Sequence, residues 1–354
     1  MNQTSIPIKS LEPVSAIRTA GDLIKRARNL FWMAPLSGIT EICFREFMDE
    51  MQAGVLISEL VSAKGLVYKS ERTRAMLGIH KSPGTIVGIQ LFGESEDDII
   101  EASRYVEESG ADFLDINLGC PVKKVVKKGC GSALLRDPGN LEKYLSKIKS
   151  NIKLPLTCKM RTGWDHNELT VHECVRAAYN SGCEWAAIHG RTRAQGYQGE
   201  SDWDLIREVQ ENTPLPIIGN GDIRNSEQAI ERLNNSGVAA VMIGRGALRN
   251  PWIFLECEGK LEKNHIPDRI EKVSRFYSIL KTFHNSRHIL IYLRKLMVWL
   301  SYGLPGSSGF RCDLFKLNSS EEIYDLATVF FETNKQTHVP IFENQESFMM
   351  GGHG

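Results

Sequence analysis

The chain has 354 residues and a mass of 39.8 kDa, room for two domains or for one large barrel with an appendage. Hydrophobic residues at 42% and charged residues at 24% exclude a disordered chain. The 43 Lys and Arg balance 43 Asp and Glu, so a nucleic-acid partner would have to be met by a local basic patch. No apolar run approaches the ~20 residues of a membrane span, and the N-terminal stretch lacks a basic-then-apolar secretory layout. A cytoplasmic protein is expected. The eight cysteines form no C-x-x-C and no Cys/His cluster of zinc-finger spacing; they are read as reduced thiols, with no metal expected.

Short apolar runs bounded by Gly, Pro, Asn or Ser alternate with amphipathic stretches. The runs predict strands at Phe31–Leu36, Val55–Ser58, Thr85–Leu91, Phe113–Asn117, Leu156–Lys159, Trp185–His189, Pro216–Gly219 and Ala240–Ile243. Helices are predicted between them at Glu94–Ser109, Asn140–Ser150, Glu168–Ser181, Trp203–Glu211 and Ser226–Asn235. The segments SGAD, SGCE and SGVA place a glycine where a helix ends and a strand begins. Eight such strands predict an α/β fold, a (β/α)8 TIM barrel over 31–258. An open doubly wound sheet would show a Gly-rich dinucleotide turn after its first strand, and APLSGIT is not one.

Beyond Pro251 the period becomes helical. Ile270, Val273, Phe276, Leu280 and Phe283 predict one helix, Ile289, Leu293, Leu296 and Leu300 a second, and Ser320–Glu332 another. They form a smaller all-helical domain over 265–334. Between His265 and Lys316 nine Lys and Arg face three Asp and Glu, a local basic excess. Residues 1–30 are expected to be an extension or hairpin, and 335–354 a loosely ordered tail.

In such a barrel the active site lies at the carboxyl ends of the strands. Those ends are largely polar: Pro35, Leu36 and Ser37 come after the first strand, Gln90 closes the third, Cys120 comes after the fourth, and Lys159 closes the fifth. His189, Arg191 and Arg193 mark the sixth, Asn220, Gly221 and Asp222 the seventh, Gly244 and Arg245 the eighth. Glycine turns after the last two strands offer backbone N–H groups to a phosphate, and Arg245 adds a charge. Lys159 at the end of an apolar strand calls for an anionic partner, such as an electron-rich cofactor ring. Gln90 can both donate to and accept from a heterocycle edge. Cys120, held between Gly119 and Pro121, serves as a general acid or as a thiolate nucleophile. Lys123, Lys124, Lys127 and Lys128 come next in the chain; they would lower the thiol pKa and attract a polyanion.

Seven segments in order, APLSGITEICFRE, VGIQLFG, DINLGCPVKKVVKKGCGSALLRDP, KMRTGWD, IHGRTRAQGYQG, NGDI and MIGRGALRNPWIF, resemble the tRNA-dihydrouridine synthase family, and most closely its bacterial B-like subgroup. The resemblance implies an FMN enzyme that reduces uridines in tRNA, with NADPH as reductant. It implies hydride delivery from the flavin to uracil C6 and proton delivery by Cys120 to C5. Carried over by position, Pro35, Leu36, Ser37, Gln90, Lys159 and His189 border the flavin. Asn220, Gly221, Asp222, Gly244 and Arg245 surround its phosphate end. tRNA would be met by Lys123, Lys124, Lys127, Lys128, Arg191, Arg193, Arg294 and Lys295, and a monomer is expected. The sequence departs from the family at Cys130, in KKGCGSALL, where a small residue is usual. Two other functions fit the same barrel: FMN-dependent chemistry on a free pyrimidine or other small molecule, and tRNA binding without catalysis. A zinc deaminase is excluded, because no H-x-E with P-C-x-x-C occurs.

Overall fold

A computed structural model describes residues 22–261 and 265–338. Eight parallel strands form the sheet: β1 Phe31–Met33, β2 Val55–Ser62, β3 Ile86–Phe92, β4 Phe113–Leu118, β5 Leu156–Arg161, β6 Ala186–His189, β7 Ile217–Asn220 and β8 Ala240–Ile243. The order β1-β8-β7-β6-β5-β4-β3-β2 is that of a TIM barrel, and the β1–β2 seam carries the Gly54 N–H to Phe31 carbonyl bond at 2.8 Å. The expected opening hairpin lies largely outside the described residues, and its described end is instead a short helix, Asp22–Arg26. Most of the expected tail lies outside them as well.

Parity along the strands separates two cores. One set of side chains faces out against the helices. The other faces in: Trp32, Ile57, Phe113, Trp185, Ala187, Ile218 and Met242 fill the barrel floor. Trp185 meets Trp32 and Phe113 edge to face at centroid distances of 5.2 and 4.9 Å. Gly88 is required there, since any Cβ would run into the Phe113 ring. Continued upward, the same inward parity brings Gln90, Asp115, Asn117, Lys159, Arg161, His189 and Asn220 to the mouth. Apolar below and polar above, each strand carries its inner face from core to site.

The connecting helices include Glu96–Glu108, Pro138–Lys149, Val171–Asn180, Trp203–Glu211 and Ser226–Ser236. Ser95, Asp137, Asp202 and Asn225 cap four of them by accepting a backbone N–H bond. Gly237 ends the last of them at φ +68°, a left-handed conformation that a Cβ disfavours. After the barrel come helices Arg269–Phe283, Ser286–Leu300, Ser307–Leu314 and Ser320–Thr333. Helix Arg269–Phe283 packs on barrel helix Ile42–Glu50 through Phe276, whose ring lies 5.3 Å from Phe47 and 6.4 Å from Phe44. Trp299 completes the seam at 5.9 Å from Phe44. The apolar core runs without a break from the barrel shell into these helices.

Candidate active site

The mouth is built on paired strands. Register sets Asn117 beside Lys159, Arg161 beside His189 and His189 beside Asn220. Lys159 Nζ donates to Asn220 Oδ1 at 3.1 Å, while Asn220 Nδ2 donates to the Met242 carbonyl at 2.8 Å. Burial and the nearby Arg161 push the lysine down to about 8, with Asp115 pulling the other way. Asp115 lies fully buried beneath it. Burial pushes this carboxyl up to about 6, against hydrogen bonds from Gln90 and Thr157 and the charge of Lys159.

One hydrogen-bonded chain joins Asp115 to the Cys120 loop. Gln90 Nε2 donates to Asp115 at 2.6 Å, and Thr157 donates to the other carboxylate oxygen at 2.6 Å. Asn117 Nδ2 donates to Gln90 Oε1 at 2.8 Å, and Asn117 Oδ1 accepts the Cys120 N–H at 2.9 Å. Ser132 grips the far side of the loop, its hydroxyl donating to the Cys120 carbonyl at 3.1 Å. Arg161 Nε donates to the Gly119 carbonyl at 2.9 Å. Cys120 is therefore held from three sides. Burial raises its thiol pKa, opposed by the Val122 N–H and the charge of Arg161. The expected influence of the four lysines is corrected: Lys123, Lys124, Lys127 and Lys128 stand out in solvent, and the cation that acts on the thiol is Arg161.

His189 is neutral. Burial and the charges of Arg161, Lys159, Arg191 and Arg245 hold it well below the usual histidine range. Arg191 Nη1 lies 3.3 Å from His189 Nε2, and since arginine only donates, the ring proton is assigned to Nδ1. Asp222 sits at φ +51° in the turn after β7. Its carboxylate takes Arg191 at 2.8 Å, the Ser201 N–H at 2.8 Å and, more distantly, Arg245 at 3.6 Å. Gly221 beside it has φ +133°, and a Cβ there would run into the Ser201 hydroxyl. The turn after β8 abuts the same place, with the Ile223 carbonyl against Gly246. Leu36 lies beside Gly244, and Ser37 is exposed on the loop that leaves β1 at Pro35.

Two residues expected at an RNA surface are turned inward. Arg191 is 1% exposed and spends its guanidinium on Asp222, Ser201 and the carbonyls of Gln198 and Gly199, so it offers nothing to a phosphate. Lys295 donates to the Gly38 carbonyl at 2.8 Å, tying helix Ser286–Leu300 to the loop after β1. Glu59 Oε2 accepts the Gly38 N–H at 2.7 Å from the other side. Arg294 is half-buried and donates to the Leu317 carbonyl. Arg193 lies over the Trp164 ring at 4.4 Å on the rim.

The mouth is short of negative charge. Four cations surround His189, answered by Asp222 and Asp115. Among the described residues, the three N–H donors of Lys159 meet one acceptor. Such a site fits an anionic ring beside Lys159 and a phosphate beside Arg245, the two ends of a flavin mononucleotide. Sequence reasoning alone does not single out Asp115, Asn117, Thr157, Arg161 or Ser201. The signal for the first two is their i, i+2 spacing in DINLG, which sends both to one face of β4.

Fold and mouth together define a (β/α)8-barrel enzyme with its polar site at the carboxyl ends of the strands. The family model described as Dihydrouridine synthase (Dus) matches residues 32–336. A "Probable tRNA-dihydrouridine synthase" of Rickettsia conorii is 35% identical over 313 residues, covering 86% of this chain and 95% of the relative. The "tRNA-dihydrouridine synthase B" of Pasteurella multocida is 36% identical over 281 residues, covering 75% of this chain and 84% of the relative. Among solved structures, 6-hydroxypseudooxynicotine amine oxidase from Pseudomonas geniculata N1 matches with a TM-score of 0.54 at 12% identity. Histamine dehydrogenase from Rhizobium sp. 4-9 matches with a TM-score of 0.53 at 13% identity. Each match covers 66% of this chain; the chain spans about half of those structures, 48% and 46%, and the likeness is one of fold. The chain belongs to the dihydrouridine synthase family.

Proposed function

We propose that the protein reduces particular uridines of tRNA to 5,6-dihydrouridine, with FMN bound at the barrel mouth and NADPH as the reductant. The observation that carries the reading is the cationic mouth around His189, beside a half-buried thiol whose pKa is raised by desolvation. Lys159 and Gln90 would hold the ring, with Asn220 orienting Lys159. Arg245 and the Gly221 and Gly244 turns would hold the phosphate, and Asp222 positions Arg245 and Arg191. When bound, the flavin supplies hydride to uracil C6. Cys120 then gives its proton to C5, a role suited to a thiol that stays protonated at neutral pH. Asn117, Ser132 and Arg161 fix the loop so that the thiol is aimed before substrate arrives.

A uridine inside folded tRNA must be flipped out to reach such a mouth, at a cost of a few kcal/mol. Phosphate contacts from Lys123, Lys124, Lys127, Lys128 and Arg193 would offset that cost. Changing the four lysines to alanine should weaken tRNA binding and flatten its salt dependence, the log–log slope falling by roughly 0.7–0.9 for each phosphate no longer neutralised. Filter binding across a salt series measures this; an unchanged slope would remove the loop from the RNA surface. A tRNA substrate and no helix long or apolar enough to cross a membrane among the described residues suit a cytoplasmic enzyme. The reading is tested by mass spectrometry of digested tRNA from cells with and without the gene. Dihydrouridine should vanish from one or a few positions and return with the native gene. Unchanged content, with no paralogue acting there, would defeat the reading. Reduction of free uridine by the purified protein would favour the small-molecule alternative.

A further inference from the structure

Glu41, Cys43 and His284 meet where the first barrel helix joins the C-terminal helices. Their ligating atoms all lie within 4.8 Å of one another. Glu41 and Cys43 are buried, and His284 is half-buried. Glu41 Oε2 is 3.1 Å from His284 Nε2, and its other oxygen takes the Phe44 N–H at 3.2 Å. One carboxylate oxygen is thus fixed by the backbone, and the other is aimed at the shared space. The imidazole is held by stacking on Tyr292 at 5.1 Å. The Cys43 thiol turns toward the same carboxylate although it is fully buried.

We propose that Glu41, Cys43 and His284 bind a divalent metal of the zinc class, pinning the C-terminal helices to the barrel. Sulfur and imidazole select zinc or cobalt over magnesium or calcium. A tetrahedral ion with bonds of ~2.0–2.3 Å sets its ligands about 3.4–3.6 Å apart, so donors that now lie within 4.8 Å of one another need to close by at most about 1.4 Å. On binding, the Cys43 thiol releases a proton to solvent, the His284 ring passes its Nε2 proton through solvent to Nδ1 and stays neutral, and the Glu41–His284 hydrogen bond gives way to two coordinate bonds. Glutamate, thiolate and neutral imidazole then cancel the charge of the ion. Arg45 and Lys295 are the nearby cations. The first donates to the Thr40 and Gly78 carbonyls and the second to Gly38, which leaves the donors free.

The test uses the full chain, stripped with chelator and then equilibrated with zinc or cobalt chloride. One equivalent should survive gel filtration, and the cobalt-minus-apo difference spectrum should show thiolate charge transfer and tetrahedral ligand-field bands. Cys43→Ser and His284→Gln should each weaken zinc binding at least ~100-fold, beyond what loss of a group supporting a ligand costs. Absence of the thiolate band in the native protein overturns the proposal, whether or not the variants fold. So does zinc held equally well by both variants, which would assign it to other cysteines.

Discussion

Replacing Cys120 with alanine is expected to slow dihydrouridine formation about 100- to 10,000-fold, the share a positioned general acid contributes, and to leave tRNA binding unchanged. The reason is structural. Asn117, Ser132 and Arg161 hold the Cys120 loop through its backbone, so removing the side chain leaves the loop in place. The pH profile separates acid from nucleophile. An ordinary thiol has a pKa of about 8.5, and burial raises this one. An acid works in its protonated form, so the rate should hold through pH ~8.5 and fall only above it. Cys120→Ser should be slow and should lose that alkaline limb. A rate that rises as pH passes through the thiol range would instead make Cys120 a thiolate nucleophile.

The second large effect is expected at Asp222. Asp222→Ala leaves Arg191, 1% exposed, as a buried charge without its counter-ion, a change that costs about 3–5 kcal/mol. It also frees the Ser201 N–H and loosens Arg245. Urea denaturation should show the loss as a lower midpoint at unchanged slope, accompanied by weaker flavin retention. Adding Arg191→Met should recover part of the stability, because the stranded charge goes with it, but not the flavin. A cost below about 1 kcal/mol would mean that Arg191 does not depend on this carboxylate.

The barrel was legible because buried parallel strands are written as short apolar runs between turn residues, and β8 begins and ends where its run does. Other strands extend past the apolar part. β5 continues to Arg161 because its charged residues face the mouth rather than interrupt the core. The helices at Trp203–Glu211 and Ser226–Ser236 lie where the amphipathic pattern puts them. Short helices such as Ala63–Val67 and Lys123–Val126 span too few residues to show a period. Sequence marks a charge but not its direction. Arg191 reads as part of a basic rim, and its partner Asp222 is 31 residues away. Lys295 reads as a basic helix face, and the carbonyl that takes its amine is 257 residues away. The Glu41–His284 pair spans 243 residues, so no local spacing could announce it. Cys120 stands out in the sequence by its rigid Gly-Cys-Pro setting; the network that holds it does not, because it is assembled from three strands and the turn that carries Ser132.

The aromatic seam of Phe44, Phe47, Phe276 and Trp299 bears on how this enzyme can be taken apart. Helix Ile42–Glu50 belongs to the barrel by chain order, yet part of its apolar face is covered by helices Arg269–Phe283 and Ser286–Leu300, far downstream in the chain. A cut between 258 and 265 would leave each fragment with an uncovered hydrophobic face prone to self-association. Chimeras that exchange the terminal helices among relatives would have to exchange helix Ile42–Glu50 with them, since the unit of inheritance here is a packed surface rather than a stretch of chain.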